Sequence, residues 1–333
     1  MMMHQPIEFM LGNFLRERHF VNPVLMKESQ NMLGALYFAR EESGKITTIK
    51  MINREKLEEL YHLNQAELMS FFTLHTTYVN EITKKIASPR LISINNSFVQ
   101  EYNELVFYMM HFIPGENKEP SHLELNQKIQ IAQVLSTLHQ TEVINYNKHF
   151  FNLKSYFFAS CWRNLVMSHG LTLVEKLALH YLNNPLKNLL RGVATRVTFD
   201  EIVRLGQDSS LVICHSDVKP KNVIWNNAGE HFLIDWENFC LMRAEIDFID
   251  TVTSWVLQKK EDKQYLDMEE AKRFREAYAL PLAINDVDIY ISAAKWIFWV
   301  LTCYSLENEA PLREGLSMLA LLDNNHQALL KLS

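Results

Sequence analysis

The stretch Cys214-His215-Ser216-Asp217-Val218-Lys219-Pro220-Lys221-Asn222, followed by Leu233-Ile234-Asp235-Trp236-Glu237, decides how this chain is read. Short apolar runs at Leu211–Cys214, Asn222–Trp225 and His231–Ile234 look like strands that bracket polar residues. Chemistry is found preferentially on loops held by such short rigid elements. Pro220 keeps the loop from closing into a helix, so Asp217 and Asn222 can both point into a cleft.

Two separated acids, one Asn and one Lys at this spacing suit phosphoryl transfer. That reaction needs a carboxylate to take or orient the proton of an attacking hydroxyl. It needs hard oxygen ligands for Mg²⁺ and a cation against the transferred group. The expected roles are Asp217 as base, Asn222 and Asp235 as metal ligands, and Lys219 as the γ-phosphate partner.

The loop resembles the H-x-D-x-x-x-x-N catalytic loop of the protein-kinase-like superfamily. It is most similar to the aminoglycoside phosphotransferase and choline kinase family, where an I-D-[WF]-[EG] ending matches Ile234-Asp235-Trp236-Glu237. The resemblance spans about Lys27 to Trp255 and implies ATP and Mg²⁺ as cofactors. It gives His215 a supporting place in the catalytic set, and makes Asp247 a structural support for the loop. Leu135-Ser136-Thr137-Leu138-His139 resembles the family's L-x-x-L-H helix, read as core packing.

The same resemblance predicts a strand Lys paired with a helix Glu. Lys50, within Thr47-Thr48-Ile49-Lys50-Met51-Ile52, fits the first; Glu67 is expected to be its partner, because Glu58 and Glu59 follow the strand too closely. No G-x-G-x-x-G is present. Ser29 and Asn31, in a turn with Gly34, are the candidates for phosphate contact. Leu105–Gly115 resembles the hinge strand, with adenine held by main-chain groups near Met110–Phe112.

The expected fold is α+β: a bilobal protein-kinase-like fold with an antiparallel sheet plus helix in an N-terminal lobe, residues 1–114, and a mostly helical C-terminal lobe, residues 115–333. Pro6 to Arg18 reads as an amphipathic helix. Leu33–Arg40 and Ile46–Ile52 read as a hairpin across the polar, Gly-containing link at residues 41–45. Arg54–His62 and Asn64–Val79 read as helices, and Arg90–Ile94, Ser97–Tyr102 and Leu105–Phe112 as strands. Beyond Gly115, helices are expected at Leu123–Gln140, Lys154–His169, Leu173–Leu190, Glu269–Tyr278 and Val287–Leu306.

Composition fits this. The chain has 333 residues, 48% hydrophobic and 22% charged, as a globular protein requires. A net charge of -6 without long Lys/Arg runs excludes a general nucleic-acid binder. No apolar run approaches the ~18–20 residues that span a bilayer. The N-terminus does not read as a signal peptide, and four scattered cysteines read as reduced thiols in the cytoplasm.

The expected partners are therefore ATP and a small hydroxylated acceptor, with no nucleic acid and no membrane span. Acceptors in this branch are often cationic. Glu237 is the candidate to face such a cation, with aromatic faces from Trp236, Trp255, Trp296 and Trp299. Two other readings stay open. One is a protein or lipid kinase: Asp217-Val218-Lys219-Pro220 also resembles the D-L-K-P of Ser/Thr protein kinases, though Ala-Pro-Glu is missing. A kinase-like scaffold without turnover is the third.

Overall fold

The computed structural model describes residues 6–30, 34–61, 64–142, 169–198, 200–202, 211–260 and 263–333. The chain forms two compact units, one of residues 1–115 with 226–234, the other of residues 116–225 with 235–333. The division is discontinuous, because the segment after the catalytic loop returns to the first unit. Each part is mixed as the sequence suggests, antiparallel sheet in the first and mainly helix in the second.

In the first unit, β1 (Val24–Gln30), β2 (Gly34–Arg40), β3 (Ile46–Ile52), β4 (Leu91–Ile92), β5 (Val99–Tyr102) and β6 (Leu105–His111) make one antiparallel sheet. The order is β1-β2-β3-β6-β4, with β5 also on β6. The expected hairpin joins β2 to β3. Gly44 turns it at φ +85, a conformation that costs other residues more. Gly34 admits no side chain, since a Cβ there would lie 1.9 Å from the Met51 carbonyl oxygen.

Side chains alternate faces along a strand. Tyr37, Ala39, Ile49, Met51, Phe107 and Met109 therefore share one face, which helix α1 (Ile7–Glu17) covers with Leu11, Phe14 and Leu15. Phe14 meets Phe107 edge-on at 5.0 Å. Leu36, Lys50 and Tyr108 take the opposite face, at one register position of β2, β3 and β6. Helices Arg54–Tyr61 and Gln65–Ile82 follow β3.

In the second unit, the helix Ala244–Trp255 is buried all round from Ile246 to Trp255, as expected of a helix at the centre of a core. The helix Asp286–Ser305, the longer helix Glu309–Leu330, and the pair Leu125–His139 and Met268–Tyr278 belong to this unit. One expected helix is corrected. Residues 173–190 are two helices, Leu171–Leu182 and Lys187–Arg196. Asn183 ends the first in the left-handed region at φ +53, and Pro185 cannot supply the amide that would continue it. The helix expected at 154–169 lies almost wholly outside the described residues. Among the described residues, no helix is long and apolar enough to cross a membrane.

Truncating Phe107 to Ala removes a fully buried ring from the α1-sheet core and is expected to cost about 3–5 kcal/mol. Urea unfolding measures this, and a loss below about 1 kcal/mol would mean that α1 does not pack as described.

Candidate active site

The catalytic loop leaves the end of β7 (Val212–Cys214), which pairs antiparallel with β10 (Cys240–Met242). His215 and Ser216 come next, and both main-chain N–H groups donate to one carboxylate, Asp247. The distances are 3.2 Å to Oδ2 and 3.0 Å to Oδ1. Asp247 lies on the central helix and is fully buried. The ring nitrogen Nε2 of His139 is 3.2 Å from Oδ2, and the Tyr278 hydroxyl is 2.6 Å from His139 Nδ1. Burial alone would raise the Asp247 pKa. The His139 hydrogen bond and charge, with Lys295 and His215, outweigh burial and hold it below the usual carboxylate value.

Ser216 sits in the left-handed region at φ +66. From there the chain turns to Asp217. Lys219 Nζ is 2.7 Å from Asp217 Oδ1. The Asn222 side-chain NH₂ donates to Asp217 Oδ2 at 2.8 Å and to its carbonyl at 2.9 Å. Pro220–Asn222 is a single 3₁₀ turn, closed by the Asn222 amide on the Lys219 carbonyl at 2.8 Å. The Trp255 indole N–H anchors the loop through the Val218 carbonyl at 2.8 Å. Burial pushes the Asp217 pKa up, but Lys219, with Lys221 and His215, overrides it, so the carboxylate stays ionised to lower pH than usual.

Asp235 follows β9 (His231–Leu233) and is itself left-handed, at φ +65. Such conformations in a residue other than glycine cluster at functional sites. A 3₁₀ turn, Trp236–Asn238, comes next. Asp235 is exposed, Glu237 half-buried.

Several expected roles change. His215, expected in a supporting place, is fully buried with its ring 4.5 Å from that of Trp236. Trp236 is buried in that contact and offers no free face. Trp255 is fully buried. Trp296 carries the Lys219 ammonium over its ring at 4.3 Å, and Lys221 lies 6.0 Å from the ring of Trp299. Of the four candidate tryptophans, Trp236 and Trp255 are buried, Trp296 has Lys219 over its ring, and Trp299 is exposed.

In the first unit, Lys50 lies mid-strand on β3, an interior strand, and not at a sheet edge. Glu67, the expected Lys50 partner, is exposed at the first turn of helix Gln65–Ile82. There its carboxylate accepts the Asn64 amide at 2.9 Å while the Asn64 side chain accepts the Glu67 amide. The Asn64-x-x-Glu67 pattern is a capping box, which explains this residue locally. Ser29 is in β1 opposite Leu36 and not in a turn; Asn31 lies outside the described residues. Met110, next to last in β6, pairs with Leu91, and Phe112 meets Phe38 edge-on at 5.3 Å.

Residues 78–280, more than half of the chain, match the model of the phosphotransferase enzyme family, APH. The chain belongs to this family. Comparison with curated proteins finds no match. Among solved structures, spectinomycin phosphotransferase APH(9)-Ia, in complex with ADP and spectinomycin, is 16% identical with a TM-score of 0.63. The match covers 96% of this chain and 99% of that one. The choline kinase LicA from Streptococcus pneumoniae is 14% identical, with TM-score 0.58 over 94% and 99%. An ethanolamine kinase from Plasmodium vivax is 15% identical, with TM-score 0.55 over 92% and 85%. These likenesses establish a shared fold, and the family makes the chain a small-molecule phosphotransferase.

The sequence pointed to the loop but not to what surrounds it. Tyr278, Asp250 and Lys295 were not singled out. The one available signal was the spacing of Asp247 and Asp250, which puts both on one helix face.

Lys219→Met should move the acid limb of the phosphotransferase's pH-rate profile to higher pH. This is the outcome expected of an Asp217 that works as an ionised base: Lys219 lowers its pKa, and removing the cation raises it. A profile of kcat/KM with the limb unmoved would show that Lys219 does not tune Asp217.

Proposed function

We propose that the enzyme transfers the γ-phosphoryl group of ATP to a hydroxyl of a small molecule that carries protonated amino groups. The observation that carries this reading is the Asp217 carboxylate, kept ionised and aimed by Lys219 and Asn222. Asp217 accepts the proton of the acceptor hydroxyl as its oxygen bonds to phosphorus and the bond to ADP breaks. Lys219 neutralises charge on the transferred group. Both roles need the Lys219 side chain on one side of Asp217, where it is found.

The residues also suit Mg²⁺. The Asn222 NH₂ faces Asp217, which leaves the amide oxygen as the donor atom, and Asp235 adds a carboxylate, so the set is one of hard oxygens. The metal supplies charge neutralisation of the phosphates when bound. Lys50, Met110, Phe112 and Ser29 are the proposed nucleotide contacts in the first unit, with main-chain groups near Met110 and Phe112 for adenine. Glu67 keeps a place in this proposal only through its helix cap. Reduced cysteines, with Cys214 and Cys303 buried as free thiols, suit a cytoplasmic enzyme.

The acceptor's charge follows from what remains available. A quaternary ammonium group has no N–H and needs aromatic faces. Trp236 and Trp255 are buried and Lys219 lies over Trp296, so Trp299 alone of the four candidates remains exposed, and one ring makes a poor cage for such a group. Protonated amines bind carboxylates directly, and Glu237, half-buried and two residues beyond the proposed metal ligand Asp235, is the carboxylate we assign to that contact. A panel of spectinomycin, kanamycin, ethanolamine, thiamine and choline with MgATP tests this by ADP release. Turnover is expected with the amine-bearing alcohols and to be weakest with choline. Choline as the best substrate by about tenfold or more would overturn the amine assignment. Asp217→Asn should lower turnover about 10²–10⁴-fold with MgATP affinity retained; undiminished turnover would remove Asp217 as base.

A further inference from the structure

Asp250 lies one helical turn beyond Asp247 on the central helix, on the same face and almost fully buried. Its two oxygens are divided. One accepts the Ser292 hydroxyl and the other the Lys295 ammonium, both in very short contacts. Ser292 and Lys295 are themselves one turn apart on the helix Asp286–Ser305. Burial would favour loss of the Lys295 proton, but Asp250 and Asp247 more than compensate and keep the group charged. From this position Nζ donates to the Ser216 carbonyl at 3.2 Å and contacts the Ser216 hydroxyl at 3.0 Å.

Ser216 is therefore gripped at both ends of its backbone. Asp247 accepts its N–H, and Lys295 binds its C=O. A serine at φ +66 is sterically strained and persists only where its surroundings over-determine it. The carbonyl held by Lys295 belongs to the peptide plane that enters Asp217. Because a peptide is planar, fixing that oxygen fixes the direction in which Asp217 leaves the loop.

We propose that Lys295 is a positioning residue of the phosphotransferase: with Asp250 and Ser292 it clamps Ser216 in the left-handed conformation and so aims the Asp217 carboxylate. This rests on the reading of Asp217 as base. The clamp itself is a statement about the backbone and can be tested apart from turnover.

Lys295→Met keeps the length of the stem and removes charge and donors. Two measurements on the full chain read the result. Hydrogen exchange of the amides at 215–219 should become about tenfold or more faster, with exchange elsewhere unchanged. Phosphate release from MgATP, with water as acceptor, should fall about 10–100-fold through kcat, with the KM for ATP unchanged. Lys295→Arg, which retains a cation and donors, should restore part of both. Should Lys295→Met not fold, Asp250→Asn is read in the same way, since it keeps a partner for Ser292 and removes the charge that anchors the lysine. Parent-like protection at 215–219 in the folded variant overturns the clamp. Faster exchange in a folded variant whose phosphate release matches the parent's supports the clamp and removes the reading of Asp217 as the base it aims.

Discussion

A single buried carboxylate organises the catalytic unit. Asp247 has no contact with water, so its charge must be met by donors from the protein. It is met by two successive main-chain amides, His215 and Ser216, and by the His139 ring. Two consecutive amides reach one anion only if the chain departs from regular strand geometry, which is why β7 stops at Cys214 and Ser216 adopts positive φ. Everything downstream inherits that turn. Asp217 is presented at the next residue, and the Pro220–Asn222 turn brings Asn222 back to it.

A second layer of buried polar groups makes the arrangement stiff. Tyr278 bonds His139, which bonds Asp247; Asp250 holds Lys295, which reaches the Ser216 carbonyl. Networks of this kind favour one conformation when every member is satisfied and cost heavily when one is not. The loop is thus pre-organised by helices that are distant in sequence.

The loop itself was legible because its chemistry is written in one contiguous stretch, and the sheet because β2, β3 and β6 are short, largely apolar runs separated by polar breaks. The failures have physical causes. Ser29 was expected in a turn because its neighbours are polar, yet β1 is an edge strand with one partner, and an edge strand tolerates polar residues. The helix Glu309–Leu330 was missed although Pro311 falls in its first turn, where the missing amide has no helical partner to lose. The tryptophans were read as available because composition does not tell which ring faces are covered. Lys295 gave no signal at all, as a lone lysine in an apolar helix most often snorkels to water. Its role depends on which helix lies opposite, and that is a tertiary fact.

If the buried carboxylate is the constraint on which the site depends, Asp247→Asn should be nearly isosteric and yet disruptive, because an amide accepts at one atom only and turns donors towards a donor. MgATP affinity by calorimetry and phosphate release on the same folded sample give the most direct measurement. Turnover lower by about 10²-fold or more, with affinity changed little, is the predicted result. Parent-like turnover in the folded variant would contradict the account, since the loop would then hold its geometry without the charge that is said to set it.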